Sequence, residues 1–320
     1  MLIYRGTPAQ PLSPVALTIG NFDGVHIGHR AMLARLTQAA RERGLSPCVM
    51  TFEPHPREFF TPDQAPARLS NLREKLELFE RFGVERVFIL RFNKRFAQVS
   101  AEDFIGRILH HGLQVRWVLV GDDFRFGARR AGDFAMLQQA GKQYGFEVEA
   151  MDSVTVAGQR ASSTAVREAL AKGDLALAER VLGRHYSISG RVVHGASLGR
   201  KIGYPTANIQ MKHNKPPLAG IFAVKVHGVG DKPLPGAASL GVRPTINDKG
   251  KATLEVFLFD FDGDLYNKHL HVEFLLKLRD EMKFPNFEAL TAQIAADVEN
   301  AKKYFMNHRD TETQRHGDKA

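Results

Sequence analysis

Two histidines three residues apart, His26 and His29, stand in "GNFDGVHIGH", directly after the strand-like run "VALTIG". Gly20, Gly24 and Gly28 punctuate the stretch and let backbone approach a ligand closely. A helix that begins here offers unpaired N–H groups and the positive end of its dipole, which together seat a phosphate. At i and i+3 the two imidazoles share one side of the first turn, where they can donate hydrogen bonds to charge building on a transferring phosphoryl group. Zinc is the weaker reading. Helical zinc pairs are spaced i, i+4 beside a general-base glutamate, and the single cysteine, Cys48, supplies no cluster of further ligands. Histidines satisfied within the fold are the third reading.

The elements that must position these residues alternate in the first half of the chain. "RAMLARLTQAARERG" puts Met32, Leu33, Leu36 and Ala40 on one helical face, with Gly44 as its stop. "CVMTF" reads as a strand, "NLREKLELFERFG" as an amphipathic helix and "VERVFIL" as the next strand. Ser100 and Asp103 make a capping-box-like start for "AEDFIGRILHHG", and the strand "RWVLVG" follows. This βαβαβ order with continuous apolar strands predicts a parallel sheet covered by helices. Ligands of such sheets sit at the carboxyl ends of strands, where both "GNFDGVHIGH" and "GDDFRFG" fall.

Two short helical stretches, "TAVREALAKG" and "LALAERVLG", lead to a change of grammar near Gly183. From Tyr186 come short strands separated by Gly/Pro-rich turns, "YSISGRVV", "IFAVKVHG", "ATLEVFLFDF" and "LHVEFLLKL", which predict an antiparallel sheet or small barrel. In the last helix, "FEALTAQIAADVENAKKYF", Leu290, Ile294, Val298, Ala301 and Phe305 share a side. The polar remainder from 307 to 320 is expected to be disordered. The expected domains are therefore 1–183, α/β, and 184–306, all-β with a terminal helix.

Composition sets the bounds. The chain has 320 residues, 43% of them hydrophobic, enough for two domains with separate cores. No apolar run approaches the roughly 18 residues of a membrane span, and "MLIYRGTPAQPLSP" lacks the apolar centre of a secretory signal. One cysteine excludes an intrachain disulfide. These features predict a cytoplasmic protein without a membrane partner. The net charge of +9 suggests anionic ligands. From Arg184 to Lys215 the charged residues are all basic (Arg184, Arg191, Arg200, Lys201, Lys212, Lys215), which by itself is equally a solvated face.

"GNFDGVHIGH" resembles the His-x-Gly-His signature of nucleotidylyltransferases, which class I aminoacyl-tRNA synthetases share. "TFEPHP", "VGDDFRFG", "SSTAVREAL", "GYPTANI", "SLGVRPTI", "LEVFLFDFDGDLY" and "LRDEMKF" follow in order. Together they resemble the bacterial bifunctional riboflavin kinase/FAD synthetase family from about Ile3 to Phe305. The resemblance implies a Rossmann-like nucleotidylyltransferase parallel sheet, then an antiparallel riboflavin kinase-like β-barrel with a terminal helix. It implies phosphorylation of riboflavin by ATP in the second domain and adenylylation of FMN in the first, with Mg²⁺ and without nucleic acid. An oligomer is compatible with the sequence but not readable from it.

The resemblance also implies roles. His26 and His29 match the catalytic signature pair, with Gly20, Asn21, Phe22, Asp23 and Gly28 shaping the ATP pocket. Ser163, Thr164 and Arg167 of "SSTAVR" match the loop that holds the triphosphate and leaving pyrophosphate, although Ser/Thr before "AVREAL" is also an ordinary N-cap. Asp123 and Phe124 match the flavin side, where a packed turn is the alternative. His55 and Pro56 read first as a rigid turn.

In the second domain Glu255 alternates with Phe257 and Phe259 and so shares their face. Without the resemblance it is an exposed Glu on a sheet; with it, Glu255 matches the base for the ribityl hydroxyl, and apolar neighbours raise a carboxyl's pKa. The chain has no P-loop lysine-serine signature there. Thr206 and Asn208 match the ATP and Mg²⁺ ligands, oxygen donors that suit magnesium. Gly195, Ser197, Gly199, Lys201 and Gly203 would cover the phosphates, and Arg279 would reach the flavin. Two positions depart from the family pattern: Phe257 where His is common, and Asn267 where the turn usually ends in Gly.

Competing readings explain less. A class I tRNA synthetase leaves "SSTAVR" and "GYPTANI" unexplained, and its lysine-rich second signature is absent. An adenylyltransferase with a regulatory β-domain predicts FAD from FMN but no FMN from riboflavin. A flavin sensor or nucleic-acid-binding module predicts binding without turnover.

Overall fold

The computed structural model describes residues 1–6, 13–156, 158–195, 199, 203–212, 215–242 and 252–317. The chain divides into two compact units: Met1–Pro66 with Ser70–Ser163, and Ala67–Leu69 with Thr164–Ala320.

The first unit holds strands β1 (Leu2–Arg5), β2 (Val15–Ile19), β3 (Ser46–Glu53), β4 (Arg86–Arg91), β5 (Val115–Gly121) and β6 (Glu147–Met151). They form one parallel sheet in the order β1-β4-β3-β2-β5-β6. Helices α1 (Ile27–Arg43), α2 (Pro56–Phe60), α3 (Leu72–Arg81), α4 (Lys94–Ala97), α5 (Ala101–Asp103, running on as a π-helix over Phe104–Gly112) and α6 (Phe134–Tyr144) connect them. A short hairpin, β7 (Thr155–Val156) with β8 (Gln159–Arg160), ends the unit.

Alternate side chains of the central strands feed two cores. Val15, Leu17 and Ile19 join Met50, Phe88 and Val118 on one face. Ala16 joins Val49, Val87, Trp117 and Leu119 on the other, against Leu33, Leu36 and Phe79 of the helices. Both faces are buried, which is why these strands read as unbroken apolar runs. Gly44 stops α1 in the left-handed region at φ 63°, and Ser100 caps α5 by accepting from the Asp103 amide at 3.0 Å. β1 escaped the sequence reading because it is an edge strand with Leu2 and Ile3 exposed.

β2 and β5 are neighbours, yet β2 leads to β3 on one side and β5 leads to β6 on the other. The chain therefore parts between their carboxyl ends and leaves a crevice there, the switch point at which such sheets bind ligands.

The second unit contains helix α7, which spans Ser163–Ala171 from the end of the first unit, and α8 (Leu175–Leu182). Strands β9 (Tyr186–Val193), β10 (Ala207–Met211), β11 (Gly220–His227), β12 (Leu234–Val242), β13 (Ala252–Leu258) and β14 (His269–Arg279) follow, and then helix α9 (Phe287–Gly317). The strands close an antiparallel barrel in the order β10-β13-β12-β11-β14-β9. Ala252, Leu254, Val256 and Leu258 are buried while Thr253, Glu255 and Phe257 between them are not, a period of two with one face committed to packing. Outside the wall, α9 sets Val298 and Ala301 against Ala237 and Phe259.

Two boundaries differ from the sequence reading. α7 and α8 group with the second unit, ahead of the change of grammar at Gly183, because α8 packs on β9 and β14. Periodicity detects a change of element type, and these helices precede the change while packing beyond it. The last helix runs to Gly317, through residues expected to lack order; that tract is polar but holds neither Pro nor an internal Gly to stop a helix.

Candidate active sites

The loop between β2 and α1 is bent against the usual preferences. Phe22 (φ 50°) and Val25 (φ 40°) join Gly24 (φ 80°) in the left-handed region. Non-glycine residues there carry strain of about 1–3 kcal/mol each and persist only when their surroundings over-determine them. Those surroundings are visible. The Phe22 ring is buried between His29 (4.9 Å) and Phe79 (5.3 Å). Asp23 accepts from the Ser70 amide at 3.0 Å, and the Gly24 amide donates to the Ser70 hydroxyl at 3.0 Å. Ser163 Oγ donates to the Asp23 carbonyl at 2.8 Å. A Cβ at Gly20 would lie 3.1 Å from the Phe22 ring.

His26 ends the loop as the N-cap of α1, its Nδ1 accepting from the His29 amide at 3.4 Å. The two rings stack with centroids 3.7 Å apart and planes 23° from parallel. Gly28 makes room for this, since a Cβ there would press on the His26 ring at 3.2 Å. Burial, then the positive fields of His26 and Lys75, hold the His29 pKa well below its usual value, so the ring is a neutral imidazole at neutral pH. His29 Nδ1 and Asn21 Oδ1 are buried without a hydrogen-bond partner among the described residues. Buried polar atoms are normally paired, so unpaired ones in a cleft mark where a ligand supplies the partner.

Two cavities open around this loop. One, about 400 Å³, is lined by Gly20, Phe22, His26, Gly28 and His29, with Arg160 on its wall. The other, about 660 Å³, is lined by Asn21 and a set of aromatic rings that includes Phe52, Phe92, Phe96 and Phe104. Ile19, Gly20, Asp123 and Phe124 line both. Asp123 accepts from Arg160 at 3.2 Å, and Phe124 stacks on Phe126 with centroids 5.5 Å apart. The predicted flavin residues thus stand at the junction of a polar cavity and an aromatic one. His55 caps α2 by accepting from the Arg57 amide at 3.1 Å and, with Pro56, also lines the aromatic cavity.

The structure separates lining residues from scaffolding. The Asp23 carboxylate is engaged by Ser70, and neither it nor Ser163 lines either of these two cavities. Thr164 and Arg167 fall in the second unit, where Arg167 Nε donates to the Ala67 carbonyl at 2.7 Å. Sequence reasoning missed the aromatic cavity, Ser70, Arg160 and the buried Lys75. Only Lys75 left a trace: it interrupts the helical stripe Leu72, Leu76, Phe79 with a charge.

In the barrel, Glu255 of β13 lies opposite Asn208 of β10 on one side and Ser239 of β12 on the other. Thr206 Oγ1 donates to Glu255 Oε2 at 3.5 Å. A Cβ at Gly195 would meet the end of the Asn208 side chain, which would have to shift, whereas one at Gly199 would fall on the Tyr204 backbone carbonyl, so close packing calls for glycine at 199. Gly203 turns at φ 82° with open space beside it. Ser197 and Lys201 lie outside the described residues.

A cavity of about 410 Å³ runs from Thr206 and Glu255 along Tyr204 and Phe257 to Phe284 and Ile294. Tyr204 meets Phe257 edge-on at 5.3 Å, so Phe257 continues an aromatic wall beside the carboxylate. Arg279 also lines it, but its guanidinium is committed to Asp297 of α9, with Nε–Oδ1 at 2.9 Å and Nη2–Oδ2 at 2.7 Å. Its position is that of a brace between β14 and α9, stacked at 5.7 Å over Phe284. Asn267 adopts φ 66°, which glycine would take freely and which Asn tolerates best among the other residues.

The sequence matches the family described as FAD synthetase over residues 9–165 and the family described as riboflavin kinase over residues 182–305. It is 50% identical over 295 residues to the bifunctional riboflavin kinase/FMN adenylyltransferase of Escherichia coli K12, covering 92% of this chain and 94% of that protein. The chain belongs to the bifunctional riboflavin kinase/FMN adenylyltransferase family. Relatives of the same name in Pseudomonas fluorescens (53% identity; 89% of this chain, 91% of theirs) and Haemophilus influenzae (49%; 92% and 95%) agree. A crystal structure described as a macrolide-efflux protein from Streptococcus pneumoniae superposes with a TM-score of 0.79 at 29% identity, covering 93% of this chain and 97% of that one. Among the described residues here, no helix is long and apolar enough to cross a membrane. Family membership assigns FMN adenylylation to the N-terminal domain and ATP-dependent phosphorylation of riboflavin to the C-terminal domain.

Proposed function

We propose that His26 and His29 stabilise the α-phosphate of ATP while FMN, its ring system in the aromatic cavity, presents its phosphate across the Gly20–Asp123 junction. The observation that carries this reading is the meeting of the two cavities at residues beside the stacked imidazoles. An FMN phosphate oxygen bonds to the α-phosphorus, the bond from that phosphorus to the bridging oxygen breaks, and pyrophosphate leaves. The nucleophile is already anionic, so no base is required. Orientation and charge stabilisation do the work. Asn21, Phe22 and Gly28 shape the pocket and Asp23 holds its loop, while the triphosphate roles of Ser163, Thr164 and Arg167 rest on their match to the family's "SSTAVR" pattern.

In the barrel, Glu255 accepts the proton of the ribityl 5′-hydroxyl as its oxygen bonds to the γ-phosphorus and ADP leaves. Thr206 and Asn208 would hold Mg²⁺; they flank Glu255 and make an all-oxygen donor set, which suits that ion. When bound, the ion neutralises charge on the phosphates. Gly195, Gly199 and Gly203, with Ser197 and Lys201, form the phosphate cover, and the Arg279–Asp297 brace shapes the flavin wall. We assign 1–183 and 184–306 as the two working domains of a cytoplasmic enzyme whose ligands are riboflavin, FMN and ATP.

The deciding experiment follows products by liquid chromatography from riboflavin, ATP and Mg²⁺. The parent chain is expected to accumulate FMN and then convert it to FAD, and His29→Ala to stop at FMN. Equal loss of both activities in that variant would sink the separation of sites.

A further inference from the structure

Lys75 is in the wrong place for stability alone. It is 5% exposed, inside the apolar stripe of α3. Burying an ammonium group carries a penalty of several kcal/mol, and a positive charge in the first turns opposes the helix dipole. Its Nζ donates to the Asn21 carbonyl at 3.4 Å and faces the Glu53 carboxylate at 3.9 Å. Asn21 belongs to the strained loop that carries the histidines, and Glu53 ends the adjoining strand β3.

We propose that Lys75 is a positioning residue for adenylyl transfer, tying the Asn21 turn to the end of β3 and setting a fixed positive field behind His26 and His29. The inference rests on the histidine roles proposed above. Lys75 holds the loop from which the imidazoles project and does not itself contact the phosphates. The charged and titratable groups around the pair are His26 beside His29, Lys75 from α3 with Glu53 behind it, and Asp123, Asp152 and Arg160 on the cavity wall. Asp23 is held by Ser70. Lys75 is the cation outside the loop that acts on His29, and burial and His26 act in the same direction.

The test uses the full chain with Lys75→Met, Lys75→Arg and Glu53→Gln, measuring kcat and KM for FMN adenylylation and the pH dependence of kcat/KM. Riboflavin phosphorylation calibrates active protein, FMN binding checks that the first unit is folded, and nuclear magnetic resonance titration of the His29 ring reads the coupling without turnover. Removing a donor that touches the reacting charge lowers kcat by about 10²–10³, so a group acting behind such donors should lower it on the order of 10-fold. KM should change little. In Lys75→Met the His29 titration and its limb of the pH profile move to higher pH, and Lys75→Arg restores them. Glu53→Gln, which removes the countercharge, moves both to lower pH. Unmoved His29 titration in Lys75→Met and Glu53→Gln overturns the proposal, as does a Lys75→Met kcat equal to the parent's. The rate of His29→Ala, measured alongside, shows separately whether the histidine role itself has failed.

Discussion

The two candidate sites are proposed to meet the same problem, bringing an ATP phosphorus to a flavin oxygen, with different parts of a fold. In the first unit the proposed groups lie on a loop beyond the strand ends, whose shape is set by Phe22 and Val25 in left-handed conformations and by a buried Asp23–Ser70 latch. In the second the proposed base, Glu255, stands on a strand, flanked by Asn208 and Ser239 through ladder register. The nucleophiles account for the contrast. A phosphate needs no proton removed, so hydrogen-bond donors on a shaped loop would suffice, whereas a hydroxyl profits from a carboxylate held rigidly. One site is set by strain, the other by pairing.

The comparison breaks most visibly at Glu255. Glu255→Gln should lower FMN formation from riboflavin by about 10²–10⁴, the usual worth of a general base, while added FMN is still converted to FAD. Unchanged riboflavin phosphorylation would remove Glu255 from that role. His29→Ala should lower FAD formation by about 10²–10³ with riboflavin phosphorylation intact. Gly28→Ala probes the strained site more gently. Its Cβ would press on the His26 ring at 3.2 Å, and steady-state assays should show a loss of FAD formation on the order of 10-fold, as for a misplacement that leaves every group present. A Gly28→Ala enzyme with full activity would mean that the ring has room to move.

Smaller effects sharpen the contrast. The native pKa of His29 lies well below that of the unfolded chain, about 6.5. Above that pH neither state binds the proton and the stability is complete; as pH falls below it the unfolded chain takes up a proton that the native state refuses, and stability declines. Denaturant melts of the first unit should show that decline, and His29→Phe should flatten it. Asn267→Gly should raise barrel stability by no more than about 1 kcal/mol by relieving a left-handed residue, with riboflavin kinase kcat unchanged. A change in kcat there would give Asn267 a part in the site.

What the sequence revealed and what it hid differ in kind. The signature loop, the alternating elements of the first unit and the two-residue period around Glu255 were legible because each is a local pattern. Strand order between β2 and β5 was not, and the crevice depends on it. Arg279 lines the barrel cavity, but its pairing with Asp297 was hidden, because an arginine in a motif looks free until α9 is brought alongside. Phe22 lines the polar cavity and is also packed into the core beside Phe79, a second role that its place in the motif did not announce. The aromatic cavity gathers rings from β3, α4 and the segments after β4 and before β5, and no spacing rule connects Phe52 with Phe92, Phe96 and Phe104.

Strand β13 carries two messages in one stretch of chain. Its even-numbered residues, Leu254, Val256 and Leu258, hold the barrel together, and its odd-numbered ones, Glu255 and Phe257, face the cavity of about 410 Å³. A single-residue insertion or deletion ahead of Leu254 would exchange the messages, sealing a carboxylate into the interior and turning leucines toward the cavity. Because the barrel is closed, β13 is gripped by β10 and β12 at once, and such a slip would have to break both ladders together. Closure therefore works as a reading-frame lock, letting the inward letters drift among apolar residues while the outward ones stay in register with the cavity.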